Sequence, residues 1–178
     1  IGALGGGLLL LLVAFEPYRL NRFLTFMDSS ADPLGIGYQI NQSLVAIGSG
    51  GLFGLGLGQS LQKYRFLPEA MQDSIFAIWA EEVGFLGVII LLSLFLIFTL
   101  RGLRIAKNVK SRFGKFLASG ITFWVILQAF INIGVNTALV PVTGITLPFI
   151  SYGGTALICN FCMVGLIANF VRNETKLI

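Results

Sequence analysis

Long apolar runs alternate with short polar or basic segments along this chain. Four runs stand out, at about residues 2–15, 75–100, 116–136 and 155–171. An α-helix rises about 1.5 Å per residue and a bilayer core is about 30 Å thick, so the last three runs can each span a membrane. The first run reaches only about 21 Å, and the chain begins inside it, at Ile1. We therefore expect that an N-terminal part is missing and that this sequence is a fragment of a longer protein.

Composition points to lipid as the solvent for these runs. Of the 178 residues, 56% are hydrophobic and 11% are charged, whereas soluble domains are about a quarter charged. The chain has no histidine, which removes His-based catalysis and most zinc sites. Cys159 and Cys162 lie in an apolar run without other ligand residues, so we expect small buried side chains there, not a redox or metal site.

Basic residues predict the orientation. The segment 101–115 carries six lysines and arginines and no acid, and the positive-inside rule makes it a cytoplasmic loop. A site for anionic lipid is an alternative explanation of this cluster. Because the basic residues lie between apolar runs, nucleic acid is not an expected partner. Segments 16–73 and 137–154 then form outer loops.

The large outer loop contains a candidate helix. Residues 38–47 combine apolar and polar side chains in an amphipathic pattern, which predicts an interfacial helix. The glycine-rich stretch GSGGLFGLGLG follows it and favours tight turns, with no match to a nucleotide-binding loop. The predicted fold is therefore an all-α, polytopic membrane helix bundle with four spanning helices and a large extracytoplasmic loop.

Amide side chains occur where lipid makes polar groups costly. Gln128, Asn132 and Asn136 are spaced four residues apart, which places them on one helical face. We expect this face to point toward the interior of the bundle. Hydrogen bonding between helices and contact with a ligand are both open explanations.

Asp73 lies at the outer edge of the second apolar run, downstream of Lys63 and Arg65. A purely structural explanation of Asp73 is that it caps the helix that follows it. A helix that starts near Pro68, where proline suits the first helical position, would weaken that explanation. A carboxylate beside a glycine-rich loop and several cations is then a candidate functional group.

Two stretches carry a resemblance to a known family. The chain resembles the SEDS family of FtsW, RodA and SpoVE proteins over residues 37–87, GYQINQSLVAIGSGGLFGLGLGQSLQKYRFLPEAMQDSIFAIWAEEVGFLG, and residues 136–154, NTALVPVTGITLPFISYGG. The run GLGQSLQKYRFLPEA is more similar to the division and sporulation branch, FtsW and SpoVE, than to the RodA branch. The resemblance implies a peptidoglycan glycosyltransferase with several more membrane helices than this chain contains.

The resemblance also implies a site. In the family pattern LPExxxDxIFA the essential aspartate falls on Asp73, which would act as a general base. The chain departs from the residues common in the family at Met71, Gln72 and Ser74. The implied reaction polymerises lipid II with loss of undecaprenyl pyrophosphate. The residues that we expect to bind substrate are Lys63, Arg65, Glu69, Gln128, Asn132, Asn136 and Ser151.

The implied partners are lipid II, a class B penicillin-binding protein transpeptidase, the division or elongation machinery, and membrane lipid. No metal site or cofactor is predicted, although a divalent cation could neutralise the leaving pyrophosphate. The expected location is the bacterial cytoplasmic membrane, with the active site on its outer face. Two other functions stay open: a lipid II flippase, which favours ionisable groups near the membrane midplane, and a scaffold for the transpeptidase.

Overall fold

The computed structural model describes residues 35–62 and 72–175, with side chains described as far as residue 170. This part of the chain is helical and has no strand. Its helices are α1 (Ile36–Ser49), α2 (Ile75–Asn108), α3 (Arg112–Asn136) and α4 (Gly154–Thr175). The prediction of an all-α architecture is confirmed. The first apolar run, residues 2–15, lies outside the described residues.

Two helices, α2 and α3, are long and apolar enough to cross a membrane by length and composition, and α4 has a shorter apolar stretch, Gly154–Phe170. The inward faces of α2 and α3 meet in a core that also takes in the loop before α4. Its buried members are Phe76, Leu91, Phe95, Val125, Ala129 and Leu147. The outward faces expose large apolar side chains such as Leu94 and Phe130, as expected where lipid replaces water. The number of spans stays a prediction.

The basic segment 101–115 does not form the expected loop, and this prediction is wrong. α2 continues to Asn108 and α3 begins at Arg112, so three residues separate the helices. Arginine and lysine are good helix formers, and nothing in the segment breaks the first helix before Asn108. Ser111 then caps α3, because its hydroxyl accepts a hydrogen bond from Gly114 N at 3.4 Å. The cytoplasmic location of this end stays a prediction.

The helix predicted at residues 38–47 is confirmed as α1, and its interfacial position stays a prediction. Mostly small residues recur every third position and pack toward α2 and α3, while Leu44 and Val45 are 42% and 53% exposed. Small side chains allow close approach of helices, so packing selects them over the larger apolar ones. The buried positions are Gly37, Ile40, Ser43 and Ala46.

The two cysteines are exposed, so the prediction of buried side chains is wrong. Cys159 and Cys162 lie on the outward face of α4, next to the exposed side chains of Ile158 and Phe161. Asn160, a polar residue in the same run, is buried at 3% exposure, so it was the available signal for the inner face of this helix.

Candidate active site

α2 is interrupted near its N-terminal end. Gly84 has φ 71° and ψ −169°, a conformation that breaks the helical path. In a regular helix, the amides of Phe85 and Leu86 would donate to the carbonyls of Glu81 and Glu82. The interruption separates these partners and leaves two donors and two acceptors to be satisfied elsewhere.

The glycine loop, residues 50–58, supplies the missing partners. Two of its amides donate to the carbonyls of α2, and two of its carbonyls accept from the amides beyond the break. The four bonds are Leu55 N to Glu81 O (2.9 Å), Gly56 N to Glu82 O (3.0 Å), Phe85 N to Gly51 O (2.9 Å) and Leu86 N to Leu52 O (3.2 Å). The glycine loop therefore completes the backbone hydrogen bonding of α2 and bridges the two parts of the helix.

The bridge requires glycine where the backbone of the loop comes closest to the backbone of α2. A Cβ atom built on Gly84 would clash with the backbone of Gly54, Phe53 and Leu52, and a Cβ atom on Gly54 would clash with the backbone of α2. The sequence predicts that the glycines allow tight turns. The structure uses at least these two for contact between backbone segments.

Glu81 fixes the far end of the same loop. Its side chain is 1% exposed. One carboxyl oxygen accepts a hydrogen bond from the Ser60 hydroxyl, and the other accepts one from Leu61 N at 3.2 Å. Ser60 and Leu61 lie just before residues 63–71 in the chain, so Glu81 anchors the segment that leads toward Asp73. Sequence reasoning gave Glu81 no such role, although an acid inside an apolar run was the available signal.

Asp73 lies in a turn just before α2. The helix starts at Ile75, and not near Pro68, which lies outside the described residues. Ser74 occupies the N-cap position and makes no side-chain capping bond. Asp73 is therefore not the N-cap of α2, and the helix-cap explanation of this residue is wrong.

The amide stripe of α3 holds the backbone of Asp73. Asn132 Nδ2 donates to the Asp73 carbonyl at 2.8 Å and to the Ile145 carbonyl at 2.7 Å. Asn136 Nδ2 donates to the same Asp73 carbonyl at 2.9 Å. Both asparagines are buried, 1% and 2% exposed. Their predicted orientation toward the interior of the bundle is confirmed, and their amides serve hydrogen bonds within the protein.

The Asp73 carboxyl group is much less constrained than its backbone. Its Oδ2 lies 3.5 Å from Gln39 Nε2, at the outer limit of a hydrogen bond, and Gln39 also donates to Ser74 Oγ at 3.2 Å. Its Oδ1 is a buried atom that has no hydrogen-bond partner among the described residues. Such an atom requires an explanation in a folded protein. Sequence reasoning missed Gln39, whose position on the polar side of α1 was the available signal.

The other predicted site residues have different surroundings. Gln128 Nε2 donates to the Thr146 carbonyl at 3.0 Å, and Ser151 Oγ accepts from Leu147 N at 2.7 Å, so both fix the loop between α3 and α4. Their roles in substrate binding stay predictions. The remaining candidates, Lys63, Arg65 and Glu69, lie outside the described residues. In residues 35–62 and 72–170, no three histidine, cysteine, aspartate or glutamate side chains come together.

A comparison with known proteins gives the context of this geometry. A family model described as "Cell cycle protein", for FtsW, RodA and SpoVE proteins, matches residues 1–176. The chain belongs to this family. It is 51% identical over 161 residues to stage V sporulation protein E of Bacillus subtilis (strain 168), covering 90% of this chain and 44% of that protein. It is 48% identical over 162 residues to a probable peptidoglycan glycosyltransferase FtsW of Idiomarina loihiensis, covering 89% and 40%.

Solved structures of the FtsW, RodA and SpoVE family share the fold. One is described as "Structural coordination of polymerization and crosslinking by a peptidoglycan synthase complex". Its TM-score with this chain is 0.68 at 30% sequence identity, and the match covers 93% of this chain and 46% of that chain. Another is a crystal structure of a mutant of the rod shape determining protein RodA of Thermus thermophilus, with TM-score 0.54 and 35% identity over 70% and 37%. The chain thus spans less than half the length of these relatives, and the resemblance drawn from its motifs is confirmed.

Proposed function

We propose that this chain is the C-terminal part of a peptidoglycan glycosyltransferase that polymerises lipid II at the outer face of the bacterial cytoplasmic membrane. The observation that carries the proposal is the state of Asp73. Its backbone is clamped by two buried asparagines, and its carboxyl Oδ1 is buried without a partner among the residues that the structure describes. Family membership and the name of the Idiomarina relative support it.

Asp73 acts as the general base in this proposal. The acceptor sugar presents a hydroxyl group, whose proton passes to the Asp73 carboxylate as its oxygen attacks the anomeric carbon of the donor. A new C–O bond forms, the bond from that carbon to the pyrophosphate breaks, and undecaprenyl pyrophosphate leaves. Alcohols are poor nucleophiles at neutral pH, and a positioned base typically accelerates such a step by about 10²–10⁴-fold.

Positioning of Asp73 is the contribution of α3. General-base catalysis requires the base within hydrogen-bond reach of the proton that it removes. The two asparagine amides fix the Asp73 carbonyl on α3, and Gln39 of α1 borders the carboxyl group from the other side. The backbone of the base is thus fixed, while among the described residues its carboxyl group is held only by the long contact with Gln39, which leaves an oxygen for the substrate proton.

Binding of the charged and lipid parts of the substrate falls to other residues. Lys63 and Arg65 are assigned to the anionic pyrophosphate because cations stabilise charge that develops on a leaving group. Glu69, Gln128 and Ser151 complete the proposed binding set. The partners proposed are a class B penicillin-binding protein transpeptidase and the division or elongation machinery.

The test is polymerisation of purified lipid II by the full-length protein, alone and with its transpeptidase, with glycan strands resolved by gel. Asp73→Asn keeps the size of the side chain and removes the base, so strand synthesis per folded molecule should fall by roughly 10²-fold or more. Glu82→Gln is the matched control, since it makes the same carboxyl-to-amide change on α2 at a group that also has a buried oxygen without a described partner, and it should stay within a few-fold of wild type.

The alternative functions give different results in the same assay. A flippase makes no strands in the wild type, and Asp73→Asn then changes only lipid translocation. A scaffold makes no strands alone and loses none of its effect on the transpeptidase when Asp73 is changed. Strand synthesis by Asp73→Asn at the wild-type rate would remove Asp73 from the mechanism.

A further inference from the structure

The end of the bundle opposite Asp73 carries an unused groove. It lies between the last turns of α2 and the first turns of α3 and has a volume of about 630 Å³. Three cations, Lys107, Arg112 and Lys115, line it, together with the apolar side chains of Leu103, Ala106 and Phe116. The proposed reaction uses none of these residues.

The charges in the groove have no acid near them in sequence. The segment 101–119 carries six cations and no aspartate or glutamate. The described acids upstream of it, Asp73, Glu81 and Glu82, precede Lys107 by at least 25 residues, or roughly 38 Å of helix. All three groove cations are exposed.

The apolar side chains are as informative as the charges. Leu103 is 42% exposed and Phe116 is 77% exposed, and the neighbouring Phe113 is 70% exposed. A soluble anion would leave these apolar side chains uncovered, and an acidic peptide would contact only the three cations of the groove. A molecule with a phosphate group and a hydrocarbon chain satisfies both parts, because basic pockets between helices at a membrane surface suit lipid head groups.

We infer that this groove binds one anionic phospholipid, with its phosphate between Lys107, Arg112 and Lys115 and an acyl chain along Leu103 and Phe116. The positive-inside rule explains why this end is basic. It does not explain why three of the six cations converge on a groove with an exposed apolar floor, while Arg101 lines a different groove, between α2 and α4.

The test uses the full-length protein in micelles that contain phosphatidylglycerol or phosphatidylcholine, with retained lipid measured by native mass spectrometry. The wild type should retain one phosphatidylglycerol in preference to phosphatidylcholine. Arg112→Gln with Lys115→Gln should weaken this binding by roughly tenfold or more, given the usual contribution of a basic side chain near anionic lipid. Arg101→Gln with Arg104→Gln is the matched control, because it removes the same charge from the same end outside the groove, and it should weaken binding less than about threefold.

Two further arms decide between the explanations. Arg112→Lys with Lys115→Arg keeps the charges and should retain the lipid. A fluorophore on Ser119→Cys, which lines the groove, in a background without the two exposed cysteines, should be quenched more by brominated phosphatidylglycerol than by brominated phosphatidylcholine. Equal quenching by the two lipids, or equal weakening by the two double variants, overturns the inference. Absence of any phosphatidylglycerol preference also overturns it and would favour an acidic protein segment as the occupant.

Discussion

The bridge between α2 and the glycine loop leads to a sharp prediction about Gly84. At φ 71° and ψ −169°, this residue occupies a region that is essentially restricted to glycine, and a side chain there costs about 1–3 kcal/mol. An alanine Cβ would also clash with the backbone of Gly54 and its neighbours. Gly84→Ala therefore both strains α2 and pushes the loop away from it.

The magnitude follows from the bonds that the loop would lose. Four backbone hydrogen bonds join the loop to α2, and each contributes about 0.5–1.5 kcal/mol. Partial relaxation will preserve some of them, so the total cost including strain is about 3–5 kcal/mol. The relatives are more than twice as long as this chain, and for a full-length protein of that size the cost corresponds to a fall in Tm of roughly 5 °C.

Gly120→Ala is the matched control for this prediction. Gly120 lies inside α3, and a Cβ atom there would have no neighbour within 4 Å. Alanine has the higher helix propensity, so Gly120→Ala should leave the Tm unchanged or raise it slightly. The assay is thermal unfolding of the purified full-length protein in one detergent, followed by size-exclusion retention. Equal Tm values for Gly84→Ala and Gly120→Ala would refute the bridge as a stabilising contact.

Three further predictions test other parts of the structure. Asn132→Leu removes the donor to two backbone carbonyls and should destabilise the protein by about 2–4 kcal/mol; a Tm equal to wild type would contradict the clamp on Asp73. Glu81→Gln can still accept one of the two hydrogen bonds that Glu81 receives, so it should lower the Tm less than Glu81→Ala, and the reverse order would exclude the anchoring role. Single cysteines at the exposed positions Val45 and Asn108, in a background without the native cysteines, should react with impermeant reagent from opposite sides of the membrane; labelling from one side would reject the predicted topology.

The helical architecture is predictable from the sequence because lipid leaves few choices. Runs of apolar residues long enough to span a bilayer must form helices, so α2 and α3 follow from length and composition. The helix ends are less predictable. The basic composition of residues 101–115 favours the prediction of a loop. Arginine and lysine are nevertheless good helix formers, and α2 continues to Asn108.

The candidate site is predictable in part, for a different reason. The position of Asp73 and the inward face of Asn132 and Asn136 follow from family pattern and helical spacing. The interruption at Gly84 does not, because a single glycine in an apolar helix is common and its broken hydrogen bonds are visible only together with the loop that replaces them. For the same reason the contact between Gln39 and Asp73, which joins residues 34 positions apart, requires the packing of α1 against α2.

Most of the polar groups discussed at this end of the bundle have hydrogen-bond partners within the protein. The broken backbone of α2 finds its partners in the glycine loop, Glu81 finds them at Ser60 and Leu61, and the amides of Asn132 and Asn136 find them at the Asp73 carbonyl. Such groups stabilise the fold, because an unpaired polar group away from water costs about 1–3 kcal/mol. Within the described part of the chain, three side-chain oxygens are buried without a partner, those of Gln62, Asp73 and Glu82, and among these residues Asp73 is the aspartate of the family pattern. In the proposed reaction, a substrate hydroxyl would supply the donor that the Asp73 oxygen lacks, and the free energy of that bond would then favour the geometry in which the proton is transferred.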